Sequence, residues 1–188
     1  MKHIARSLII FAVVGQLAAC LPNPESVEQR RNNFDRTKAK PFILDKAPER
    51  IQTPHNAIFD GRIQFLGFDV DKESVQPGED ITITSYFKVL KPVNRNYKMF
   101  LHLDGSARVH GDHWPVDEKY PTDVWLPGEV IKDVYTVRVY PHINSRTLGV
   151  YLGFFIGEER MPITNTEETR HDNQNRARAG AINLNLGR

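Results

Sequence analysis

Apolar and polar residues alternate along much of the chain after residue 58, the period expected of half-buried β-strands. Residues 81–89 have the sequence Ile-Thr-Ile-Thr-Ser-Tyr-Phe-Lys-Val and follow a turn built on Pro77 and Gly78. Residues 62–70 alternate until Gly67, where the phase shifts, and a glycine at a phase shift indicates a β-bulge. Further strands are predicted over residues 98–103, 130–139, 150–156 and 181–187.

These short segments are separated by proline and glycine turns, and none shows a sustained helical period. The pattern predicts an all-β fold, a single immunoglobulin-like antiparallel β-sandwich over residues 58–188. Residues 164–180 are polar and charged, so we expect a long exposed loop before the last strand. Trp125, which precedes a Pro-Gly turn, is expected to close one end of the core.

The first twenty residues have the features of a secretory signal. Lys2 and Arg6 precede a short apolar run, and residues 17–20 are Leu-Ala-Ala-Cys. This ending resembles the lipobox of bacterial lipoproteins, which implies removal of residues 1–19 and lipidation of Cys20. Leu21 after the lipidated residue favours the periplasmic face of the outer membrane within the cell envelope. The alternatives are an ordinary cleaved signal with a chance cysteine, or a buried core cysteine.

Residues 20–57 are expected to be the lipidated N-terminus and an extended tether. Five of the twelve prolines fall here, with charges of both signs between them, a composition typical of solvated linkers. Within it, residues 26–40 favour a short helix, since Ser26 and Gln29 have capping-box spacing. A flexible coil of this length reaches ~35 Å, which would hold the domain away from the bilayer.

Charge and cysteine content exclude several classes of protein. The formal net charge is +2, and without Lys2 and Arg6 the 25 basic residues become 23, equal to the 23 acidic ones. A near-neutral chain is not expected to bind nucleic acid through bulk charge. The single cysteine excludes an intrachain disulfide and a thiolate zinc cluster.

A block of motifs between residues 63 and 163 resembles a known type of domain. The motifs are Val-Gln-Pro-Gly-Glu (75–79), Asn-Tyr-Lys-Met-Phe-Leu-His-Leu-Asp (96–104), Asp-His-Trp-Pro (112–115), Tyr-Pro-Thr (120–122), Trp-Leu-Pro-Gly-Glu (125–129) and Gly-Val-Tyr-Leu-Gly-Phe-Phe (149–155). They resemble extracytoplasmic β-sandwich domains appended to bacterial polytopic membrane glycosyltransferase-type proteins. The resemblance implies the fold more than an activity, because here the domain follows a lipid anchor without a transmembrane catalytic part.

Histidine and aspartate pairs are weak candidates for metal ligands. His102 and Asp104 are two residues apart, as are His110 and Asp112, so each pair shares one face of a strand. If the strands are neighbours, these groups converge on a divalent cation. Polar hairpin loops explain the same residues without a metal, and no compact ligand motif is present. We therefore predict neither a metal nor another cofactor.

Trp114, Tyr120, Asp112 and His113 are the candidate ligand-binding residues. Aromatic rings beside carboxylates on loops can stack a sugar ring and bind its hydroxyls. The aromatic block favours a structural role in closing the sandwich over ligand binding, and Trp114 is the better ligand candidate because it adjoins a polar loop.

The sequence lacks the motifs of hydrolases, metalloproteases and phosphate-binding enzymes, so we expect a non-catalytic protein. Our first hypothesis is a structural or accessory subunit of an envelope protein assembly, contacting its partner through strand edges and residues 164–180. The alternative is a carbohydrate-binding module for cell-wall or exported polysaccharide.

Overall fold

The alternating segments form strands in the computed structural model, which describes residues 25–187. The strands are β1 (Ile43–Leu44), β2 (Thr53–Pro54), β3 (Ile58–Phe59), β4 (Ile63–Val70), β5 (Ser74–Val75), β6 (Asp80–Val89), β7 (Lys98–Asp104), β8 (Arg108–His110), β9 (Val130–Arg138), β10 (Thr147–Ile156), β11 (Glu159–Arg160) and β12 (Ala177–Leu184). The helical elements are α1 (Val27–Asn33) and three 3₁₀ turns, Lys40–Phe42, Pro115–Glu118 and Thr122–Val124.

The strands build two sheets that pack face to face. The first has the order β1-β9-β6-β4-β2 with β3 also on β4, and the second has the order β5-β12-β10-β7-β8 with β11 also on β10. Neighbouring strands are antiparallel except β5 and β12, which are parallel. The long strands β4, β6 and β9 share one sheet and β7, β10 and β12 the other, the distribution found in immunoglobulin-like sandwiches. The predicted all-β sandwich is confirmed.

Aromatic rings from both sheets fill the space between them. Phe87 of β6 lies 5.3 Å from Phe154 of β10, ring centre to ring centre, and 6.4 Å from Trp125. Trp125 is fully buried at the end of this cluster, as predicted. The side chains of β6 that alternate inward, including Ile81 and Ile83, line the same core.

Gly67 produces the predicted bulge in β4. The register with β6 shifts between Phe65 and Gly67, and Gly67 has a φ of +132°. A Cβ at this position would overlap the carbonyl oxygen of Thr53 and lie 2.8 Å from the Cα of Pro54. The bulge therefore needs glycine both for its backbone conformation and for the close approach of β2.

The last strand begins earlier than predicted. It covers Ala177–Leu184 rather than residues 181–187, so the expected exposed loop over residues 164–180 is wrong for its final part. Ala177 and Ala179 are buried against the core. Arg176 is buried as well, because Asp104 and Asp172 accept its hydrogen bonds at 2.9 and 2.5 Å. The prediction missed this start because the strand begins with small residues and follows a charged residue, Arg176, which is paired and buried.

The expected solvated tether is wrong for residues 25–57. Helix α1 forms with the predicted capping box between Ser26 and Gln29. Arg31 in its last turn is only 7% exposed and donates to the carbonyl oxygens of Val93 at 2.7 Å and Asp123 at 3.1 Å. Farther along, β1 pairs with β9 and β2 pairs with β4. This part of the segment is a docked layer of the domain rather than a linker.

The predictions made for residues 1–24, including the signal peptide and Cys20, lie outside the described residues. Within residues 25–187, none of the helices has the length and apolar character needed to span a bilayer.

Candidate functional site

Trp114 lies half-buried on the segment that leaves the second sheet after β8. One face borders a cleft of about 290 Å³ lined by Asn96, Pro115, Glu118 and Pro121. A half-exposed indole offers a flat apolar surface, and the amide and carboxylate at the rim offer hydrogen-bonding groups. The cleft therefore combines the two elements of a sugar-binding surface.

A second, larger cleft of about 600 Å³ adjoins Trp114 and is lined by Lys98, Asp112, His113, Asp117, Glu118, Lys119 and Tyr135 among others. The ammonium nitrogen of Lys98 is 5.1 Å from the centre of the Trp114 ring, within range of a cation–π interaction. Glu118 lines both clefts, so the two form one continuous surface around Trp114.

Asp133 on β9 contacts residues on both sides of Trp114, the backbone of one and the side chain of the other. Its carboxylate accepts a hydrogen bond from the Val116 backbone N–H at 2.7 Å and lies 2.9 Å from Nε2 of His113. Asp133 is 1% exposed, so both interactions are shielded from water. The ring of His113 also stacks on Tyr135 at 3.8 Å with an interplanar angle of 4°. Trp114 is therefore held by a buried polar clamp rather than by a mobile loop.

The turn that follows Trp114 has a rare backbone conformation. Val116, Asp117 and Glu118 have φ angles of +57°, +52° and +61°, inside the segment Pro115–Glu118. A β-branched residue with positive φ is an outlier, and three consecutive non-glycine residues in this region store strain. The strained turn directs the exposed Asp117 and the cleft-lining Glu118 to the site. Strain of this kind occurs at ligand-binding sites, where surrounding contacts maintain it.

Tyr120 does not belong to the binding surface, which corrects the prediction for this residue. It is completely buried, and its hydroxyl donates to a Glu129 carboxylate oxygen at 2.6 Å. Burial, followed by the Glu129 hydrogen bond, raises the pKa of the phenol. The Trp125 indole N–H donates to the Tyr120 carbonyl at 2.9 Å. Both aromatic residues close the end of the core, where the Trp125 N–H and the Tyr120 hydroxyl each have an acceptor away from water.

Sequence reasoning identified Trp114, Asp112 and His113 but missed Asp133 and Tyr135. Asp133 had a readable signal, since it occupies an inward position of β9 between the buried Ile131 and Val137. A carboxylate at an apolar position of an alternating strand indicates a buried polar contact. Tyr135 carried no comparable signal.

Three of the four metal candidates come together and one does not. Ligand atoms of His102, His110 and Asp112 all lie within 4.8 Å of one another. Asp104 is instead occupied by Arg108, at 2.6 and 2.9 Å, and by Arg176 at 2.9 Å. These arginines hold the pKa of the Asp104 carboxyl below its usual value, against the opposing effect of burial.

Comparison with known proteins assigns no family to this chain. No protein-family model matches it, and it has no match among the curated proteins or the solved structures.

Proposed function

We propose that this chain is a non-catalytic carbohydrate-binding protein of the cell envelope, anchored by lipid at Cys20 and binding a saccharide on Trp114. The observation that carries the proposal is a half-exposed indole, held between two clefts by a buried clamp and bordered by hydrogen-bonding groups.

The chemistry of a saccharide matches this surface. The C–H face of a sugar ring packs on the indole, and its hydroxyls bind polar groups at the rim. Glu118 and Asn96 supply a carboxylate and an amide beside one face of Trp114. The Asp133 clamp holds the ring in place before the ligand arrives, which reduces the entropy lost on binding.

The docked N-terminal segment supports an envelope location for the site. Cys20 and Glu25 are five residues apart, a separation of at most about 18 Å in a fully extended chain. Helix α1, which follows directly, contacts Val93 and Asp123, close in sequence to the cleft residues Asn96 and Pro121. A lipid on Cys20 would therefore keep the cleft close to the membrane.

Binding of the full-length protein to a panel of cell-wall and exported polysaccharides, followed by titration calorimetry with the best ligand, tests the binding function. Trp114→Ala is expected to abolish binding and Trp114→Phe to retain part of it. Tyr140→Ala is the matched control, because Tyr140 is an exposed aromatic residue, 36% accessible, outside both clefts. Failure to bind any polysaccharide, or equal binding by Trp114→Ala, would overturn the proposal.

Lipid anchoring is tested separately by fractionation. A Cys20→Ser variant is expected to leave the membrane fraction, and separation of inner from outer membranes places the native protein. Quantitative retention of Cys20→Ser in membranes would contradict the lipid anchor.

An accessory subunit of an envelope assembly is the second candidate function. It is favoured by the docked segment, which would keep the domain beside membrane partners and raise their effective concentration. The outer strands β1, β2, β5 and β8 have two or three residues each, and short edge strands are poor templates for pairing, so this function would use surfaces other than the predicted strand edges. Co-purification of a stoichiometric protein partner that Trp114→Ala also retains would favour this function over glycan binding.

A further inference from the structure

A second polar cluster lies on the outer face of the sheet formed by β7 and β8. His102 and His110 are direct cross-strand partners. Met99 and Leu101 use their backbone groups to bind the partner segment, so the His102–His110 pair is of the non-hydrogen-bonded type, in which side chains approach most closely. Asp112 follows His110 by two residues and so lies on the same face.

The three side chains have the spacing of metal ligands. Nε2 of His102 is 3.5 Å from Oδ1 of Asp112, and the rings of His102 and His110 have centroids 5.0 Å apart. Ligands bound at 2.0–2.2 Å around a tetrahedral ion are separated by roughly 3.3–3.6 Å. The His102–Asp112 distance falls in this range, and the full set fits within 4.8 Å.

His102 lacks the hydrogen bonds expected of a buried imidazole. It is 4% exposed, and its buried Nδ1 has no hydrogen-bond partner among residues 25–187, while Nε2 faces Asp112. The 3.5 Å separation from Asp112 is too long for one. Buried polar groups are almost always paired, and an unpaired one indicates a missing ion or water.

Among residues 25–187, three arginines are the cationic groups near the cluster. Arg108 and Arg176 are paired with the Asp104 carboxylate, which offsets their repulsion of a bound cation. Arg160, on the wall of the adjoining cleft, donates to the Gln174 carbonyl oxygen and lies over the Phe100 ring.

The cluster is also open to solvent. His102 and Asp112 line a cleft of about 190 Å³ with Phe100, Phe155 and Glu158 among its other walls. The Asp112 side chain is 39% exposed, so an ion can enter from that side. Phe100 stacks on the His102 ring at 5.0 Å and holds its orientation.

We propose that His102, His110 and Asp112 form a binding site for one divalent transition-metal ion of the Zn²⁺ class. Two imidazoles and one carboxylate are ligands that zinc accepts, and three protein ligands leave a coordination position facing the cleft. The site does not depend on the saccharide function of Trp114, and each can fail without the other.

Metal titration of the full-length, detergent-solubilised protein tests the site. After treatment with a chelator, titration with ZnCl₂ is expected to show one equivalent bound. Co²⁺, used as a spectroscopic probe, is expected to give the visible absorption of a tetrahedral complex.

Two variants and a control decide the assignment. His110→Ala and Asp112→Asn change exposed residues and are each expected to weaken Zn²⁺ binding at least tenfold, since even second-layer partners of metal ligands contribute ~10–100-fold. His142→Ala removes an exposed histidine outside the cluster and should bind like the native protein. Circular dichroism checks that the variants are folded. Absence of stoichiometric binding, or native affinity in both His110→Ala and Asp112→Asn, would overturn the proposal.

Discussion

Replacing Asp133 with alanine should lower the free energy of unfolding, and the size of the effect follows from its contacts. Asp133→Ala leaves the buried Val116 N–H without an acceptor and removes the carboxylate beside Nε2 of His113. Each unsatisfied buried group costs about 1–3 kcal/mol. The change also removes the contact that holds Val116 in its left-handed conformation. We expect the free energy of unfolding to fall by about 3 kcal/mol, or the melting temperature by roughly 6–12 °C.

Asp133→Asn is the matched control for this prediction. The amide oxygen can still accept from Val116 N–H, and the amide NH₂ can donate to Nε2 of a neutral His113 whose Nδ1–H donates to the Gly111 carbonyl. Its unfolding free energy should therefore lie within about 1 kcal/mol of the native value. Urea unfolding monitored by circular dichroism measures both variants. If the unfolding free energy falls by less than about 1 kcal/mol in Asp133→Ala, or by equal amounts in both variants, the stabilising role given to the Asp133 hydrogen bonds is refuted.

Three further predictions concern stability. Gly67→Ala should lower the unfolding free energy by more than about 2 kcal/mol in urea unfolding, because the added Cβ overlaps Thr53 in a conformation that disfavours alanine. Arg31→Ala should release the N-terminal segment, which limited proteolysis detects as rapid cleavage before residue 45, at about 2 kcal/mol of lost stability. Burial and the Asp69 hydrogen bond raise the pKa of Tyr86 to about 12. The protonated phenol stabilises the folded state fully below pH 10, and this stabilisation is lost as pH rises towards 12. Tyr86→Phe should therefore remove about 2 kcal/mol from the fall in unfolding free energy at alkaline pH, as measured by unfolding at each pH.

Each of these predictions has a control in the same chain. Gly157 has a φ of +58° but open space around it, so Gly157→Ala should cost only about 1 kcal/mol. Arg30 is more exposed than Arg31, and Arg30→Ala should leave the segment protected from protease. For Tyr86, the control is the same comparison made below pH 10, where the unfolding free energy should not depend on ionisation of the Tyr86 phenol. A control that behaves like its paired variant would contradict the reason given for that variant.

The regular part of the sandwich could be predicted because its signal is local. In β6 the side chains alternate one by one between core and solvent for most of the strand, and Gly67 marks its bulge within a single phase shift. The closing role of Trp125 could also be predicted from its place before a turn. Such features depend only on residues that are close in sequence, so a single sequence is enough to predict them.

The docked segment could not be predicted because its contacts are distant and polar. Arg31 is charged, and arginine side chains are mostly exposed to solvent, so the sequence predicts exposure here. Its guanidinium is buried because carbonyl oxygens 62 and 92 residues away accept its hydrogen bonds. Arg176 misled the prediction of β12 in the same way, through Asp104, 72 residues away.

The residues of a candidate site could be predicted only where they lie on neighbouring strands of one hairpin. His102, His110 and Asp112 converge because β7 and β8 are adjacent strands, the condition attached to the prediction. Asp104 shares their spacing but is paired with two arginines, one of which, Arg176, is 72 residues away in sequence. Spacing brings side chains together, but partners from elsewhere in the fold decide which of them stay free.

The docked segment also changes what a lipid on Cys20 would do. A 38-residue coil would let the domain sample a volume ~35 Å deep above the bilayer. Parts of residues 25–57 pack on the domain, and Cys20 precedes Glu25 by only five residues, a separation of at most about 18 Å. If Cys20 carries the proposed lipid, the end of the sandwich that binds α1 would lie near the membrane, and Asn96 and Pro121 of the Trp114 cleft are close in sequence to the residues that α1 contacts. A ligand of this cleft is therefore expected to be a saccharide located at the membrane surface rather than one dispersed through the envelope.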